Sequence, residues 1–337
     1  MCSSDLYSQA TFITEIIAKT TKTAQVVFRL SELIVYSSFC HKGSLRMKNE
    51  DVVHIEVNSC DAHVDRGTFK VESFLGIYDG HGGDAAALYA KDHFVPYLNS
   101  FGRNNSDLGL SQIIKKAVKK FDGELTKYLM NPSRCDNSGS CALFLVQVGR
   151  KVCVASVGDS KAIICCQLLS EVECLTTPHK PENKTESDRI SSAGGYIYRN
   201  QSGEIRVKGA LAQLIALPKK QPLRVFPSNL SITRAFGNGV VKASHSTIII
   251  SDPEVVEIED EFLYMILASD GVYDSLSDSE LACIVEDVLL QGIFTDIQQA
   301  SDMVVSVIFE KLIANYCCDN ISLVFVAGSL LESLLQE

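Results

Sequence analysis

Apolar residues recur along the chain in short runs, and these runs predict a strand-rich fold. Runs of Val, Ile, Phe and Leu with the length of a strand occur at 33–38, 52–57, 71–78, 142–148, 151–157, 161–166, 262–269 and 321–327. Segment 112–129 instead places its apolar positions on one helical face and its lysines on the other, which predicts an amphipathic helix with a solvated lysine face. Strands joined mainly by hairpins, with helices gathered in blocks, favour an α+β fold over a doubly wound parallel sheet.

Two further helices are predicted near the C-terminal end. Ser277-x-x-Glu280 and Thr295-x-x-Gln298 both match the capping-box pattern, and each precedes an apolar-periodic segment. The spacing therefore predicts two successive helices that begin at these positions.

Composition and charge narrow the classes of partner. The chain has 337 residues with a formal net charge of −10, which disfavours nucleic acid and anionic membranes. No apolar run approaches the roughly 20 residues that a membrane-spanning helix needs, so no such helix is expected. Twelve cysteines are spread along the chain without a C-x-x-C pair, and no secretory signal pattern opens it. We therefore expect reduced thiols and a cytoplasmic or nuclear location.

Three aspartates each stand at the end of a strongly apolar run, and each is followed by Gly or Asn. They are Asp79, Asp270 and Asp319, and Glu50-Asp51 adds a fourth acidic position beside an early strand. A carboxylate at a buried strand terminus is costly to ionise without a cation, and Mg²⁺ or Mn²⁺ with oxygen ligands would supply one. The alternative is that these aspartates are turn residues or helix caps. That alternative is favoured for any one aspartate alone and weakens for all of them together.

The segment around Asp79 carries the most chemistry. Residues 79–83 read Asp-Gly-His-Gly-Gly, so the backbone can turn sharply and approach a ligand before the next helix. The Gly80 carbonyl could bind a metal, and His81 titrates near neutrality and could protonate a leaving oxygen. A lone His is more often structural, but its glycine flanks and the neighbouring acid favour function here.

Eight motifs in one order resemble those of the metal-dependent type 2C (PPM family) serine/threonine protein phosphatases. They are Glu50-Asp51, Tyr78-Asp-Gly-His-Gly-Gly83, Ser138-Gly-Ser140, Val157-Gly-Asp-Ser-Lys-Ala162, the segment from Pro178-His-Lys-Pro181 through Glu186-x-x-Arg-Ile190 to Ala193-Gly-Gly195, Thr233-Arg-Ala-Phe-Gly237, Ala268-Ser-Asp-Gly-Val-Tyr-Asp274 and Asp319-Asn-Ile-Ser322. The resemblance implies an αββα four-layer sandwich, with two central antiparallel sheets flanked by helices. It also implies a catalytic domain at 33–328 with a flap and insertion at about 178–230, an N-terminal extension at 1–32 whose role is open, and a short tail at 329–337.

The resemblance further implies hydrolysis of phosphoserine and phosphothreonine in proteins by a water that two Mg²⁺ or Mn²⁺ ions activate, without a covalent intermediate. The implied metal ligands are Asp79, the Gly80 carbonyl, Asp270 and Asp319, with Glu50 and Asp51 acting directly or through water and Asp159 holding a weaker third ion. His81 matches the proposed general acid, and Arg46 matches the phosphate-binding arginine. Oligomeric state stays open.

The chain also departs from the family pattern. Asn238 stands where the family usually has Asp, which leaves the electrostatic role of that position open, and Tyr273 replaces a common Trp as a packing variation. An expanded segment that includes 211–217 and 218–222 either tunes substrate choice or is a tolerated surface insertion. Two other functions remain: a catalytically inactive pseudophosphatase that serves as a scaffold, and a hydrolase of small phosphate esters, for which no P-loop supports nucleotide binding.

Overall fold

The structure, a computed structural model, describes residues 35–57, 69–168, 172–199 and 222–336. Its strands are β1 (Val35–His41), β2 (Val52–Val57), β3 (Ser73–His81), β4 (Gly139–Val148), β5 (Lys151–Val157), β6 (Lys161–Cys165), β7 (Glu173–Cys174), β8 (Tyr196–Arg199), β9 (Leu223–Phe226), β10 (Phe236–Gly237), β11 (Glu254–Ile258), β12 (Tyr264–Ala268) and β13 (Ile321–Ala327). Its helices are α1 (Ala85–Arg103), α2 (Leu110–Leu129), α3 (Lys184–Ser192), α4 (Gly239–Ser244), α5 (Asp270–Tyr273), α6 (Asp278–Gln291), α7 (Ile297–Ala314) and α8 (Ser329–Gln336).

Two antiparallel sheets form the centre of the molecule. The first sheet has the strand order β1-β13-β12-β6-β7, and the second has the order β11-β5-β4-β3-β2 with β10 paired to β4. Strands β8 and β9 form a separate two-stranded sheet, which packs against Cys141 of β4 through Val225 and Ile197. The predicted αββα sandwich is confirmed, because α1 and α2 cover the outer face of the second sheet while α6 and α7 cover the outer face of the first.

Strands of both sheets are buried on two faces, which explains why they read as continuous apolar runs. In β3, Phe74 and Tyr78 face the helices, whereas Leu75 and Ile77 face the other sheet. Met265 of β12 joins the same layer between the sheets. Each fully buried side chain of this size contributes about 1.5–3 kcal/mol, so this middle layer fixes the two sheets against each other.

The predicted elements agree with the structure apart from some of their ends. The predicted helix at 112–129 is α2, which begins two residues earlier, and its lysines are exposed as expected. The strand predicted at 33–38 is β1, which runs to His41. The segments 1–32 and 211–217, the first two residues of the predicted strand 33–38 and most of 218–222 lie outside the described residues. The predicted tail contains α8, and Leu331 is buried against the outer helices of the first sheet.

One of the two predicted capping boxes is confirmed, and the other is wrong by one residue. Ser277 accepts from the Glu280 backbone N–H, and the Glu280 carboxylate accepts in return from the Ser277 backbone N–H. The next helix, α7, is capped by Asp296, whose side chain accepts from the N–H of Gln299. Asp is as good a cap as Thr, and the choice of Asp296 starts the helix on apolar Ile297.

Among the described residues, none of the helices is both long enough and apolar enough to cross a membrane.

Candidate metal centre

The acidic residues singled out in the sequence meet at one edge of the sandwich. Asp51 immediately precedes β2, and the pairing of Val52 with Tyr78 places it beside Asp79 of β3. Asp270 follows β12, and Asp319 precedes β13 rather than following a strand. Because β12 and β13 are antiparallel, the end of one and the start of the other lie together. Segments more than 200 residues apart in sequence therefore share one site.

Two glycines allow the loops that carry these acids to touch. A Cβ atom on Gly80 would fall 2.3 Å from the carbonyl oxygen of Glu50, and one on Gly271 would fall 2.0 Å from the carbonyl oxygen of Asn320. Both approaches are too close for any side chain. The glycines of the Asp-Gly pairs therefore bring the Asp79 and Asp270 segments against the loops that carry Glu50 and Asp319.

The clustered carboxyls resist ionisation. Burial raises the pKa of the Asp79 carboxyl well above its usual range, and the neighbouring Asp51 and Asp270 raise it further. The pKa of Asp270 is raised in the same way, by burial first and then by Asp159 and Asp319. Such a cluster needs positive charge to stabilise its ionised form.

The donor set fits hard divalent cations. Asp51 is only 6% exposed, and burial raises the pKa of its carboxyl to about 6, although hydrogen bonds with Ser322 and Ser269 lower it. Among the described residues, its buried Oδ2 atom has no hydrogen-bond partner. Buried polar atoms are nearly always paired, so an orphaned carboxylate oxygen beside further carboxylates indicates a cation site. Carboxylate and carbonyl oxygens are the ligands that Mg²⁺ and Mn²⁺ prefer. Asp270 and Asp319 lie near enough to Asp79 to raise the pKa of its carboxyl, and donor atoms of Asp79, Asp159 and Cys141 lie within 4.8 Å of one another.

Asp159 joins the cluster from the loop after β5. Its side chain is 4% exposed and lies 3.3 Å from the Nζ atom of Lys180. Burial alone would lower the pKa of Lys180, but the charges of Asp159 and Asp270 outweigh it, so the pKa is raised. Lys180 thus supplies a fixed ammonium on the side of the site where the sequence predicted a weaker ion.

The loop between β1 and β2 brings Glu50 and Arg46 to the site. Glu50 accepts a hydrogen bond from the backbone N–H of Gly83 over 2.9 Å. Arg46 donates from Nη2 to Oδ2 of Asp319 over 2.7 Å and keeps half of its side chain exposed. The guanidinium therefore lies at the rim of the acid cluster, bound to Asp319 and about half exposed to solvent.

Asn320 holds this loop, a role that sequence reasoning missed. Its Oδ1 accepts from the backbone N–H of Glu50 over 2.9 Å. Its Nδ2 donates to the carbonyls of Lys42 and Lys48, each over 3.0 Å. In the sequence, only the position of Asn320 directly after Asp319 pointed to this role, because an Asn side chain can donate and accept hydrogen bonds at the same time.

His81 pairs with Asn238, which answers the question that the sequence left open. The His81 Nε2 atom lies 3.0 Å from Oδ1 of Asn238, and when Nε2 carries a proton it donates a hydrogen bond to the amide oxygen. Asn238 is buried in a left-handed conformation with φ 54°. Burial lowers the pKa of His81, and the Asn238 hydrogen bond offsets this only in part. The position that departs from the family pattern is thus the partner of the proposed acid.

Tyr273, which stands where the family commonly has Trp, makes a hydrogen bond in addition to its packing contacts. It is partly buried, and its hydroxyl donates to the carbonyl of Lys161 over 3.1 Å.

A buried ion-pair network holds the described part of the flap. Glu186 accepts from Arg189 over 2.9 Å and from the Thr233 hydroxyl over 2.7 Å, and it also pairs with Arg234. Burial by itself would raise the pKa of Glu186, but these donors dominate and lower it to about 2. Helix α3 is therefore tied to the segment that precedes Asn238.

Comparisons with known proteins agree with this fold. A family model described as Protein phosphatase 2C matches residues 36–321. "Probable protein phosphatase 2C 52" of Oryza sativa subsp. japonica is 34% identical over 253 residues, which cover 74% of this chain and 43% of that protein. "Probable protein phosphatase 2C 71" of Arabidopsis thaliana is 30% identical over 252 residues, which cover 74% of this chain and 48% of that protein. The chain spans less than half the length of these two relatives.

Solved structures share the fold. A sex determining protein of C. elegans superposes with a TM-score of 0.69 at 24% identity, covering 96% of this chain and 72% of that one. A serine-threonine phosphatase 2C from Toxoplasma gondii superposes with a TM-score of 0.63 at 23% identity, covering 88% of this chain and 95% of that one. At these identities the likeness shows the architecture alone. Because the family model spans most of the sequence, the chain belongs to the protein phosphatase 2C family of serine/threonine phosphatases.

Proposed function

We propose that this chain hydrolyses phosphoserine and phosphothreonine in proteins at a centre of two Mg²⁺ or Mn²⁺ ions. The observation that carries the proposal is the clustering of Asp51, Asp270 and Asp319 near Asp79, whose carboxyl pKa they raise. Among the described residues, the buried Oδ2 atom of Asp51 in this cluster also has no hydrogen-bond partner. When bound, the ions supply a water activated near neutral pH and offset the negative charge of the phosphate.

The chain's own residues supply binding and proton transfer. Arg46, at the rim, offers a planar fork of N–H donors to a phosphate, which a lysine could not reproduce. His81 delivers a proton to the leaving oxygen, and its hydrogen bond to Asn238 fixes the orientation of the ring. Glu50 holds the N–H of Gly83 and so fixes the glycine turn beside Asp79.

An inactive scaffold is not favoured. Such a relative is expected to lose at least one carboxylate of the site, whereas Glu50, Asp79, Asp270 and Asp319 are all present and adjacent.

The proposal is tested by metal binding and turnover together. Calorimetry with Mn²⁺ should show binding, and release of phosphate from a phosphothreonine peptide should require Mn²⁺ or Mg²⁺ and exceed release from nucleotides. Asp270→Asn should abolish turnover, while Asp302→Asn, an exposed acid on α7, should retain it. Absence of both Mn²⁺ binding and turnover would refute the proposed function.

The role of His81 has a test of its own. His81→Gln should slow hydrolysis of the phosphothreonine peptide much more than hydrolysis of p-nitrophenyl phosphate, whose leaving group needs no proton. Equal losses on the two substrates would remove the general-acid assignment.

A further inference from the structure

An open groove lies between α6 and α7, the helices that cover the outer face of the first sheet. Its volume is about 460 Å³, and Val288, Phe294 and Val307 contribute to its lining. Ile293 and Met303 also line the groove, and these two residues are 98% and 48% exposed. Single exposed apolar side chains are normal, whereas several around one groove mark a binding surface.

The surface around the groove is acidic. Asp287 of α6 lines the groove and is exposed. Residues 278–310 include the whole lining, and they contain seven Asp or Glu residues and no Lys, Arg or His. Apolar walls in a negative field favour an occupant that is itself apolar and positively charged.

The polypeptide that precedes β1 enters the fold beside this groove. The carbonyl of Tyr36 in β1 accepts a hydrogen bond from Nε2 of Gln298 over 2.9 Å. Gln298 lies in the first turn of α7 and lines a second depression, which shares Met303 with the groove. The sequence has 34 residues before Val35, so this length of chain is anchored next to the groove.

Residues 16–31 have the composition that the groove favours. Their large apolar residues are Ile16, Ile17, Val26, Val27, Phe28 and Leu30, and their charged residues are Lys19, Lys22 and Arg29, with no Asp or Glu. We propose that residues 16–31 dock in the groove between α6 and α7 of the same chain. The apolar side chains of this segment cover Ile293 and Met303, and its positive charges face Asp287 and the acidic surface around it.

The tether is long enough for this docking. Four residue steps separate Ser31 from Val35, and they span up to about 13 Å when the chain is extended. Five helical steps separate Gln298 from Met303, which amounts to about 7.5 Å. The tether also raises the effective concentration of the segment, so that a weak contact suffices. Docking does not depend on the proposed function, because no residue of the metal centre takes part in it.

A photoreactive amino acid placed in the groove tests the docking in the full chain. Ile293→p-benzoylphenylalanine replaces a side chain that is almost fully exposed, so the fold should not change. Irradiation should give a cross-linked product of monomer mass, linked to a peptide from residues 16–31, at a yield independent of protein concentration. Val240→p-benzoylphenylalanine is the matched control, since Val240 is 58% exposed on α4, which contacts α2 on the other side of the sandwich.

Charge reversal tests why this segment is the occupant. Asp287→Lys should lower the yield of the cross-link about 3-fold or more, because attraction becomes repulsion. Adding Lys19→Glu and Lys22→Glu to that variant should restore part of the yield. Asp107→Lys should leave the yield unchanged, since Asp107 is an equally exposed acid in the loop between α1 and α2.

Circular dichroism checks that each variant is folded, and the photoreactive residue is placed at position 303 if the variant at position 293 is not. A product of twice the monomer mass, with a yield that grows with protein concentration, would show that a second copy fills the groove and would overturn the inference. A link outside residues 16–31, or a yield no greater than that from position 240, would also overturn it. A yield that Asp287→Lys does not lower would contradict it too, because charge selects this occupant.

Discussion

Replacing Asn238 with Asp should raise the pKa of His81 and extend catalysis to higher pH. Asn238 already contacts Nε2 of His81 over 3.0 Å, so an Asp of the same shape would place a carboxylate against the ring. The neutral amide stabilises both forms of the imidazole, whereas a carboxylate favours the protonated one. Asp also tolerates the left-handed backbone of this position, so the substitution introduces little strain.

The expected size follows from the contact distance. Two unit charges about 4 Å apart interact by about 4 kcal/mol at an effective dielectric constant of about 20, which is equivalent to about 3 pKa units. Position 238 is only 4% exposed, so ionising an Asp there costs part of this energy. We therefore expect a net rise of about 1 to 2 units.

The pH dependence of kcat is the assay. A general acid acts only while protonated, so activity on a phosphothreonine peptide falls as pH rises through the pKa of His81. In the wild type burial lowers this pKa, so the fall begins at a lower pH than it would for an exposed histidine. Asn238→Asp should move the fall upward by about 1 to 2 pH units.

A second substrate and a second Asn→Asp variant serve as controls. With p-nitrophenyl phosphate the profile should hardly move, because its leaving group needs no proton. Asn229→Asp is the matched variant, since Asn229 is exposed, has φ 60° and lies in the turn after β9, where it contacts Tyr198 rather than His81. An unchanged profile on the peptide, or an equal shift on both substrates, would show that the pair of His81 and Asn238 does not govern proton transfer.

Three stability predictions follow from the contacts around the site. Asn320→Ala removes three hydrogen bonds and should lower the free energy of unfolding, measured by urea titration, by about 2–4 kcal/mol. A change within experimental error would mean that the loop carrying Glu50 does not depend on Asn320 for its stability. Asp122→Asn leaves the buried Lys242 ammonium without its anion and should cost about 3–5 kcal/mol, and a loss below 1 kcal/mol would contradict this. Glu186 has its pKa lowered from 4.5 to about 2 in the folded state, so it stabilises the fold above pH 4.5 and this gain is lost as pH falls toward 2. Glu186→Gln should therefore remove about 3 kcal/mol near neutrality and flatten the acid limb of stability, whereas parallel pH curves would exclude the linkage.

The sequence predicted the acidic positions because their flanks are local signals. Apolar runs mark the strands, and Asp79 and Asp270 each stand beside a glycine where the chain turns. The αββα architecture came from a resemblance carried by several ordered motifs. Local patterns therefore located the acids, and motif order placed them in one fold.

Partners across the fold left no comparable signal. Asn238 is 157 positions from His81 and Cys141 is 18 from Asp159, and neither pair follows from a helical or strand period. The wrong capping residue at α7 has a related cause, since Thr295 and Asp296 are adjacent and both are good caps. Side-chain pairing is a property of the folded geometry that one sequence does not display.

The acid cluster lowers the stability of the fold that carries it. A carboxyl whose pKa is raised in the folded state destabilises that state at every pH above its unfolded pKa, and Asp79 and Asp270 both behave in this way. The hydrogen bonds of Asn320 and the lowered pKa of Glu186 act in the opposite direction, because both stabilise the folded state relative to the unfolded one. The Asn320 contacts lie directly beside the acids, since Asn320 follows Asp319 and accepts from the N–H of Glu50. A bound divalent ion would then raise stability by mass action, so that metal affinity and folding free energy are linked at the same residues.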